Sequence, residues 1–399
     1  MAVMLLQGFS SGLPLALVAS TLQAWFAVSG IDVFTIGILS LVGQPYVYKF
    51  LWAPFFDRYI FPFLGRRRGW LFLAQVLLIV SIVLISFLDP LDAPWPVGIM
   101  AFFIAFFSAS QDILVDAYRT EVLATAERGA GVALYNVGYR VALLVSGGGA
   151  LIIADYFGWQ VMFLSMAGLL ALQLLVTCWA EEPAHKDIPQ RLHHAIFHPF
   201  HDFFKRRLAV AILLFIILYK LTDVVTLSLG SKFLIDLGFS LTTIGVVYKG
   251  VGLIATLSGA LLGGFLMLRI TLYRSLLSFG LLQAFSNLTF VWLALAGSSV
   301  AVLTIAIATE NFCGGLATTA FVAFLMGLCN KRYTATQYAL FSSIAVLGRT
   351  YIGPVAGLLA RHLQVETNHA HWAIFYVWAF IVGFPALFLL MWLHKKEII

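Results

Sequence analysis

Residues 28–43 of this chain, VSGIDVFTIGILSLVG, return in altered form at 236–252 as DLGFSLTTIGVVYKGVG. Both copies contain the triplet Thr-Ile-Gly, at 35–37 and at 243–245, with an offset of 208 residues. A triplet recurs easily by chance, so it indicates a repeat only if other matches lie at the same spacing.

Further matches do lie at that spacing. Gly30 aligns with Gly238 at the same offset, and Gly-Tyr-Arg ending at Arg140 aligns with Leu-Gly-Arg ending at Arg349 at an offset of 209. These matches predict one structural unit that occurs twice in parallel order along the chain.

The composition places this repeat in a membrane. Of the 399 residues, 61% are hydrophobic and 11% are charged, and the mean hydropathy is +0.97. An ordinary soluble domain has about 25% charged residues, so the sequence excludes a soluble protein. The formal net charge of +6 is therefore interpreted through the topology of the loops and not as an affinity for nucleic acid. The apolar start is expected to be a first span and not a cleaved signal.

Twelve apolar segments are long enough to cross the bilayer, because a helix needs about 20 residues to span about 30 Å of hydrocarbon. They predict an all-α membrane protein with twelve transmembrane helices. The predicted spans are 2–28, 35–56, 69–88, 96–119, 128–154, 158–180, 207–235, 241–267, 271–296, 300–328, 336–361 and 371–394.

Basic residues orient these spans, since cytoplasmic loops carry an excess of Lys and Arg. The opposite connections, such as DPLDAPW and LAGSS, lack them, and only Arg361 falls on that side. Both termini are therefore predicted to be cytoplasmic. The cytoplasmic basic residues are Arg58, Arg66, Arg67, Arg68, Arg119, Arg128, Lys186, Arg191, Lys205, Arg206, Arg207, Arg269, Arg274, Lys331, Arg332, Lys395 and Lys396.

The repeat and the topology together predict two pseudo-symmetric six-helix halves, 1–180 and 207–399, joined by a cytoplasmic connector at 181–206. Parallel six-span halves with a site near the bilayer midplane are typical of the major facilitator type of secondary transporter. That superfamily carries an Asp and then a Gly with a basic cluster after the second span. DRYIFPFLGRRRGW matches this pattern with a wider spacing, and its gate candidates are Asp57, Arg58, Arg66, Arg67 and Arg68.

The connector is expected to be a basic amphipathic helix on the anionic cytoplasmic leaflet. His194, His198 and His201 would share one face of it. We predict no metal site there, because Pro199 is expected to interrupt the helix.

Charged side chains inside the spans mark pathways or proton relays, because they are rare in lipid. Asp112 and Asp116 lie four residues apart in SASQDILVDAYRTEV and share a helix face. Like charges so placed oppose each other's ionisation. Asp116 lies nearer the cytoplasm, where Arg119 or the basic loop after the second span could neutralise it. Asp112, the deeper acid, is therefore the predicted proton carrier, and Asp116 a gate or structural partner.

Depth and spacing suggest three ion pairs: Asp112 with Arg140, Glu310 with Arg349, and Lys220 with Asp223. A purely structural role for each pair remains a serious alternative. The buried cations outnumber the acids, which suits an anionic cargo. The predicted substrate-binding residues are Gln23, Gln44, Lys49, Gln111, Tyr139, Arg140, Lys220, Asp223, Lys249, Glu310, Asn311 and Arg349.

Several other functions lack the residues that they need. All nine histidines lie in loops or at span ends, which argues against a histidine relay and against a membrane-embedded hydrolase or acyltransferase. There is no GxxxxGK[ST] motif for ATP. Cys178, Cys313 and Cys329 show no paired spacing. We therefore predict no enzymatic activity, no cofactor and no metal.

At this level of detail the chain resembles the AmpG muropeptide permeases of the major facilitator superfamily. The resemblance rests on the motifs GFSSGLPLAL, SLVGQPYVYKFLWAPFFDRY, GRRRGW, ASQDILVDAYRTEVL, LYKLTD, ENFCGG, ATTAFVAFLMGLCNK and GRTYIGPVAG, among others. It extends from about Gly8 to about Gly357. The family's intramembrane acid falls on Asp112.

The resemblance implies a monomeric, multi-pass permease of the bacterial inner membrane that works in peptidoglycan recycling. It would import GlcNAc–1,6-anhydroMurNAc and its peptides with protons, and so would contribute indirectly to β-lactamase induction. Three alternatives remain: a related transporter of another anionic cargo, as in the acetyl-CoA transporter-like branch; a membrane scaffold or sensor that transports nothing; and an exporter of lipophilic compounds.

Overall fold

The computed structural model describes residues 1–31, 40–183, 192–363 and 369–398. Within these ranges the regular structure is helical, and the only β pairing is an isolated bridge between Phe61 and Gly65. The predicted all-α class is confirmed. The Thr-Ile-Gly triplet at 35–37 and part of the connector lie outside the described residues.

Nineteen α-helices follow one another along the described chain. They are α1 Ala2–Ala16, α2 Leu22–Val28, α3 Gln44–Tyr48, α4 Ala53–Arg58, α5 Arg66–Ile85, α6 Pro94–Val122, α7 Arg128–Leu144, α8 Ala150–Phe157, α9 Trp159–Trp179, α10 Leu192–Phe204, α11 Ala209–Ser228, α12 Gly230–Asp236, α13 Leu241–Val246, α14 Gly252–Leu266, α15 Leu272–Ala296, α16 Val300–Leu328, α17 Thr334–His362, α18 His369–Val382 and α19 Phe384–Lys395.

Eight helical stretches in the described ranges are long and apolar enough to cross a membrane. They are Ala2–Phe26, Arg66–Ile85, Pro94–Val122, Thr125–Phe157, Trp159–Trp179, Leu272–Ala296, Val300–Leu328 and His371–Lys395. Each coincides with a predicted span, and most of the helix ends agree with the predicted ends to within a few residues. Of the other four predicted spans, 207–235 and the described part of 35–56 are divided into shorter helices, 241–267 consists of α13 and α14 joined by a π-helical turn, and 336–361 lies within α17.

Proline explains the division of the second predicted span. Pro45 and Pro54 each occupy the first turn of a short helix, α3 and α4, with a 3-10 turn at Lys49–Leu51 between them. A proline ring removes a backbone donor and favours the start of a new helix. The side chain of Lys49 therefore leaves the backbone at a break in the helix.

Three π-helical turns, Leu17–Thr21, Val145–Gly149 and Val247–Val251, join successive α-helices without ending the helical path. Such turns shift the helix face by a fraction of a turn and are frequent at functional sites. Here they separate α1 from α2, α7 from α8, and α13 from α14.

The chain forms two compact units. The first unit comprises Met1–Thr125, Leu134–His201 and Leu328–Ser343, and the second comprises Ala126–Ala133, Asp202–Gly327 and Ile344–Ile399. The core of the first unit is built around Leu13, Phe26, Ile82, Ile104 and Phe163. The core of the second unit is an aromatic cluster of Phe233, Phe290, Trp372, Phe375 and Tyr376.

Glycines bring the functional helices into backbone contact within each unit. In the first unit, a Cβ on Gly8 of α1 would overlap the carbonyl oxygen of Tyr135 on α7, and one on Gly138 would overlap that of Leu5. In the second unit, Gly259 of α14 lies equally close to α16. Small residues allow this approach between membrane helices, and the polar side chains beside these contacts face one another as a result.

The connector contains the predicted amphipathic helix as α10. This helix continues through Pro199, so the expectation that Pro199 interrupts it is wrong. Ala195, Pro199 and Phe203 form one buried stripe, and packing of this stripe compensates for the missing backbone donor. Gln337 on α17 donates to the carbonyl oxygen of Pro199 at 3.1 Å. No metal-binding group of His, Cys, Asp and Glu occurs among the described residues.

Candidate functional site

Asp112 is the acid on α6 for which the structure provides the least compensation. The side chain is partly buried, its Oδ1 is inaccessible to solvent, and no described residue forms a hydrogen bond with that atom. Within the described residues Asp112 forms no ion pair. The predicted pair with Arg140 is therefore wrong. Arg140 is exposed, and it points about 100° around the axis of α7 away from its neighbour Tyr139. The cations near Asp112 are other residues.

Other buried polar atoms of the first unit also have no partner among the described residues. They lie on α1, α3 and α6, the helices that pack around Asp112, and are Gln7 Oε1, Ser11 Oγ, Tyr46 Oη, Ser108 Oγ and Gln111 Nε2. Buried polar groups are nearly always hydrogen-bonded to protein or water. This interior is therefore suited to water or to a polar ligand.

Asp116, one turn further along α6, is fully compensated. Lys49 Nζ lies 3.3 Å from its Oδ2, and Arg119 Nη2 lies 2.7 Å from its Oδ1. The predicted neutralisation by Arg119 is confirmed, and Lys49 is an additional partner at the helix break. Arg119 Nη2 also donates to the hydroxyl of Tyr338 at 2.5 Å.

A chain of hydrogen bonds ties four helices of the first unit together beside these acids. Thr177 of α9 donates to Gln75 Oε1 at 2.8 Å, Gln75 Nε2 donates to Ser10 Oγ at 3.2 Å, and Ser10 Oγ donates to Gln111 Oε1 at 3.2 Å. All four side chains are buried. Sequence reasoning identified Gln111 alone, because each of the other residues sits singly in an apolar run.

The predicted gate is an ion network centred on buried Asp57. Arg66 and Arg67 each donate an Nη2 hydrogen to Asp57 Oδ1 at 2.9 Å. The other oxygen, Oδ2, accepts from the backbone N and the hydroxyl of Thr336 at 2.8 and 2.6 Å. The carboxylate therefore caps the start of α17, where the partial positive charge of a helix terminus favours an anion.

Arg67 also contacts Glu121, with its Nε 3.0 Å from Oε1. Arg68 donates instead to the last carbonyl oxygens of α9, those of Thr177 and Cys178. Arg58 does not join this network through any described ion pair, and its guanidinium lies over the ring of Tyr59 at 5.3 Å.

Glu182 is a functional residue that the sequence analysis missed. Its carboxylate accepts from the backbone N of Arg67 at 2.8 Å and from that of Arg68 at 3.0 Å, and so caps the start of α5. Gly65 has φ +91° at this point, and a Cβ there would touch the Glu182 side chain. The available signal was an acidic pair, Glu181 and Glu182, at the end of a span that faces a basic loop.

In the second unit the predicted pair of Lys220 and Asp223 is confirmed, with Lys220 Nζ 2.9 Å from Asp223 Oδ2. Lys220 also donates to Thr318 at 2.8 Å and lies over the ring of Phe321. One oxygen of Asp223, Oδ1, is buried without a partner among the described residues.

Glu310 is buried and accepts from Asn311 Nδ2 at 2.9 Å. Asn311 Oδ1 in turn accepts from Thr256 at 3.0 Å. The side chains of Arg349 and Lys249 lie outside the described residues, so the pair of Glu310 with Arg349 stays a prediction.

The remaining predicted binding residues are dispersed. Gln23 and Gln44 are exposed. Tyr139 stacks on Tyr135 with ring centroids 6.1 Å apart. The structure therefore gathers Lys49, Gln111, Asp112 and Asp116 in one unit and Lys220, Asp223, Glu310 and Asn311 in the other.

Apolar helices around buried ion pairs and unsatisfied polar atoms are typical of proteins that move solutes or ions across a membrane. The profile of the Major Facilitator Superfamily matches residues 1–353. The proton:xylose symporter XylE has the same fold, with a TM-score of 0.71 at 14% identity over 100% of this chain and 95% of that one. The E. coli fucose:proton symporter FucP gives 0.71 at 12% identity over 96% and 98%.

Sequence relatives define the branch of the superfamily. The anhydromuropeptide permease of Escherichia coli K12 is 48% identical over 394 residues, which are 98% of this chain and 79% of that protein. A putative transporter, AmpG 4, of Rickettsia felis is 34% identical over 98% of this chain and 95% of the relative. The chain belongs to the AmpG family of the Major Facilitator Superfamily. It is a multi-pass protein of the bacterial inner membrane.

Proposed function

We propose that this protein imports anhydromuropeptides from the periplasm to the cytoplasm by proton-coupled alternating access. The observation that carries the proposal is the 48% identity to the E. coli anhydromuropeptide permease over 98% of this chain. The cargo class is GlcNAc–1,6-anhydroMurNAc and its peptides, whose carboxylates are anionic. The protein works as a monomer with twelve spans, cytoplasmic termini, halves 1–180 and 207–399, and the connector 181–206.

Asp112 is the proposed proton carrier. A buried carboxylate is stable in its ionised form only with cations or donors around it. Asp116 has two cations within 3.3 Å, whereas Asp112 Oδ1 has no partner among the described residues. Of the two acids, Asp112 is therefore the one whose charge the described contacts compensate least, and we assign the transported proton to it.

Cargo binding falls to the cations and amides of the two units. Lys49 and Gln111 in the first unit, and Lys220 and Asn311 in the second, combine charge with hydrogen-bonding capacity near unsatisfied polar atoms. Arg140, Lys249 and Arg349 are further proposed cations of the pathway. The network of Asp57, Arg66 and Arg67 is the proposed cytoplasmic gate.

The test is uptake of the labelled anhydro-disaccharide into proteoliposomes with and without an imposed inward proton gradient. We expect gradient-driven accumulation above the external concentration. Asp112→Asn should remove this accumulation and leave exchange across equal concentrations intact, because a neutral amide cannot release a proton. The matched control is Asp92→Asn, the same change at an exposed loop position, which should accumulate cargo as the wild type does.

Two results would overturn this proposal. Absence of any uptake by correctly folded protein would indicate a scaffold or sensor, and uptake of another anion such as an acyl-CoA in preference to the disaccharide would indicate a different cargo. Unchanged accumulation by Asp112→Asn would remove Asp112 from the coupling mechanism alone.

A further inference from the structure

Arg119 has hydrogen-bonding capacity that the first unit leaves unused. The residue is 4% exposed, yet its Nε and Nη1 have no hydrogen-bond partner in the part of the chain that the structure describes. Only Nη2 is engaged, by Asp116 and by the hydroxyl of Tyr338. A buried charged donor without an acceptor is unfavourable, so these two groups are available for an acceptor that arrives from elsewhere.

The surroundings of Arg119 select the chemistry of that acceptor. The guanidinium lies over the ring of Tyr135 at 4.3 Å and over that of Tyr338 at 5.3 Å, so aromatic faces hold it in place. A fixed, planar guanidinium with unused N–H groups is the side chain that best recognises a carboxylate. Tyr338 covers the guanidinium, so the site is closed in this conformation.

The charges around Arg119 connect this site to proton binding. The charged and titratable groups near Asp112 are Lys49, Asp116 and Arg119, together with the phenols of Tyr46 and Tyr135; from α1 the uncharged Ser11 lies beside it. Two cations thus balance two carboxylates when Asp112 is ionised. When Asp112 takes up a proton, one positive charge is left without a counter-charge in a buried site, which is unfavourable.

We propose that Arg119 binds a carboxylate of the cargo, and that this carboxylate supplies the counter-charge which protonation of Asp112 removes. Proton and anion would then bind together and leave together, because either alone unbalances the cluster. Seven residues separate Asp112 from Arg119, which is about 10 Å along α6. Arg119 lies on the cytoplasmic side of Asp112 in the proposed topology, so it would hold the carboxylate late in inward passage. This inference rests on the proposed function.

The experiment is calorimetric binding to the purified full-length protein of two forms of the anhydro-disaccharide. One form carries the ionised lactyl carboxylate and the other carries its uncharged methylamide. At pH 6 the wild type should bind the carboxylate form on the order of tenfold to a hundredfold more tightly. At a higher pH, where Asp112 is ionised, this ratio should shrink, because Asp112 then balances the cations; the carboxylate itself stays ionised throughout.

Four variants separate a binding role of Arg119 from a structural one. In Arg119→Gln the ratio should fall to about one at both pH values. In Asp112→Asn, which imitates the protonated acid, it should stay high and lose its dependence on pH. If the glutamine variant does not fold, Arg119→Lys, which keeps the positive charge, takes its place and should retain part of the ratio. Arg274→Gln, the same change at an exposed arginine of the second unit, should leave the ratio unchanged.

The outcomes are distinguishable. If Arg119→Gln weakens the binding of both forms of the disaccharide equally, Arg119 has a structural role only. If the wild type does not prefer the carboxylate form, the cargo carboxylate does not supply the counter-charge. Either result leaves the proposed transport of anhydromuropeptides in place. Binding of neither form by folded wild-type protein would instead overturn the proposed cargo together with this inference.

Discussion

The two units both bury acids next to cations, but they compensate them differently. In the first unit Lys49 and Arg119 converge on Asp116, while Asp112, one turn away, has no ion pair among the described residues. The positive charge is thus concentrated on the acid nearer the end of α6, and the deeper acid is left to the polar atoms around it.

In the second unit the cation Lys220 is held by Asp223 on the same helix and by Thr318. The other acid, Glu310, accepts from the uncharged amide of Asn311 and is 3% exposed. The comparison teaches that the number of acids in a unit says little about their role. What matters is which acid holds the cations, because an adjacent cation stabilises the ionised form of a carboxylate.

The largest expected effect is on the stability of the first unit. Asp116→Asn removes the carboxylate that both Lys49 and Arg119 contact, and breaking a buried ion pair in this way costs about 3–5 kcal/mol. Unfolding of the purified protein in mixed detergent micelles measures it. Asp112→Asn, the matched change one turn away, should lower the free energy of unfolding by less than about 1 kcal/mol. Equal losses in the two variants would contradict the difference drawn between these acids.

An intermediate effect is expected at the ion pair of the second unit. Lys220→Met keeps most of the side-chain volume but leaves Asp223 without its cation. Both side chains are 19% exposed, so solvent screens the loss and about 1–3 kcal/mol is expected. The same unfolding measurement applies. The double variant Lys220→Met with Asp223→Leu should recover part of the loss, and a loss that doubles instead would show that the two residues act independently.

The smallest effect is expected for Glu310→Gln. An amide has the shape of the acid and can still accept from Asn311, so the free energy of unfolding should change by less than about 1 kcal/mol. A loss as large as that of Asp116→Asn would mean that a cation neutralises Glu310, and the contrast between the units would disappear. Uptake at several pH values on the same variant would then show whether the acid also exchanges a proton.

The sequence predicted much of the fold because membrane helices obey strong constraints. Length and hydropathy located the eight described spanning helices, since every backbone group in lipid must be bonded within a helix or barrel. The spacing of Lys220 and Asp223 predicted their ion pair, because residues three apart share a helix face. The burial of Asp57 beside the basic cluster also follows from the motif that contains it.

Contacts between helices could not be predicted in the same way. Hydropathy gave no sign that the second predicted span is divided between α3 and α4, or that Lys49 would reach Asp116 from that break. The pairing of Asp112 with Arg140 was wrong for a related reason. Similar depth in the bilayer does not make a pair, because the rotation of α7 about its axis decides which of its residues faces α6.

By itself, the sequence determined that this protein lies in a membrane and that Asp112 stands where lipid-embedded helices rarely carry charge. Only the tertiary structure decided the partners: Thr336 for Asp57, the start of α5 for Glu182, and the tyrosine faces for Arg119. The physical reason is one of scale. Periodicity fixes the face of a helix to within tens of degrees, whereas a hydrogen bond or ion pair requires two side chains to meet within about 3 Å, and that distance is set by how the helices pack.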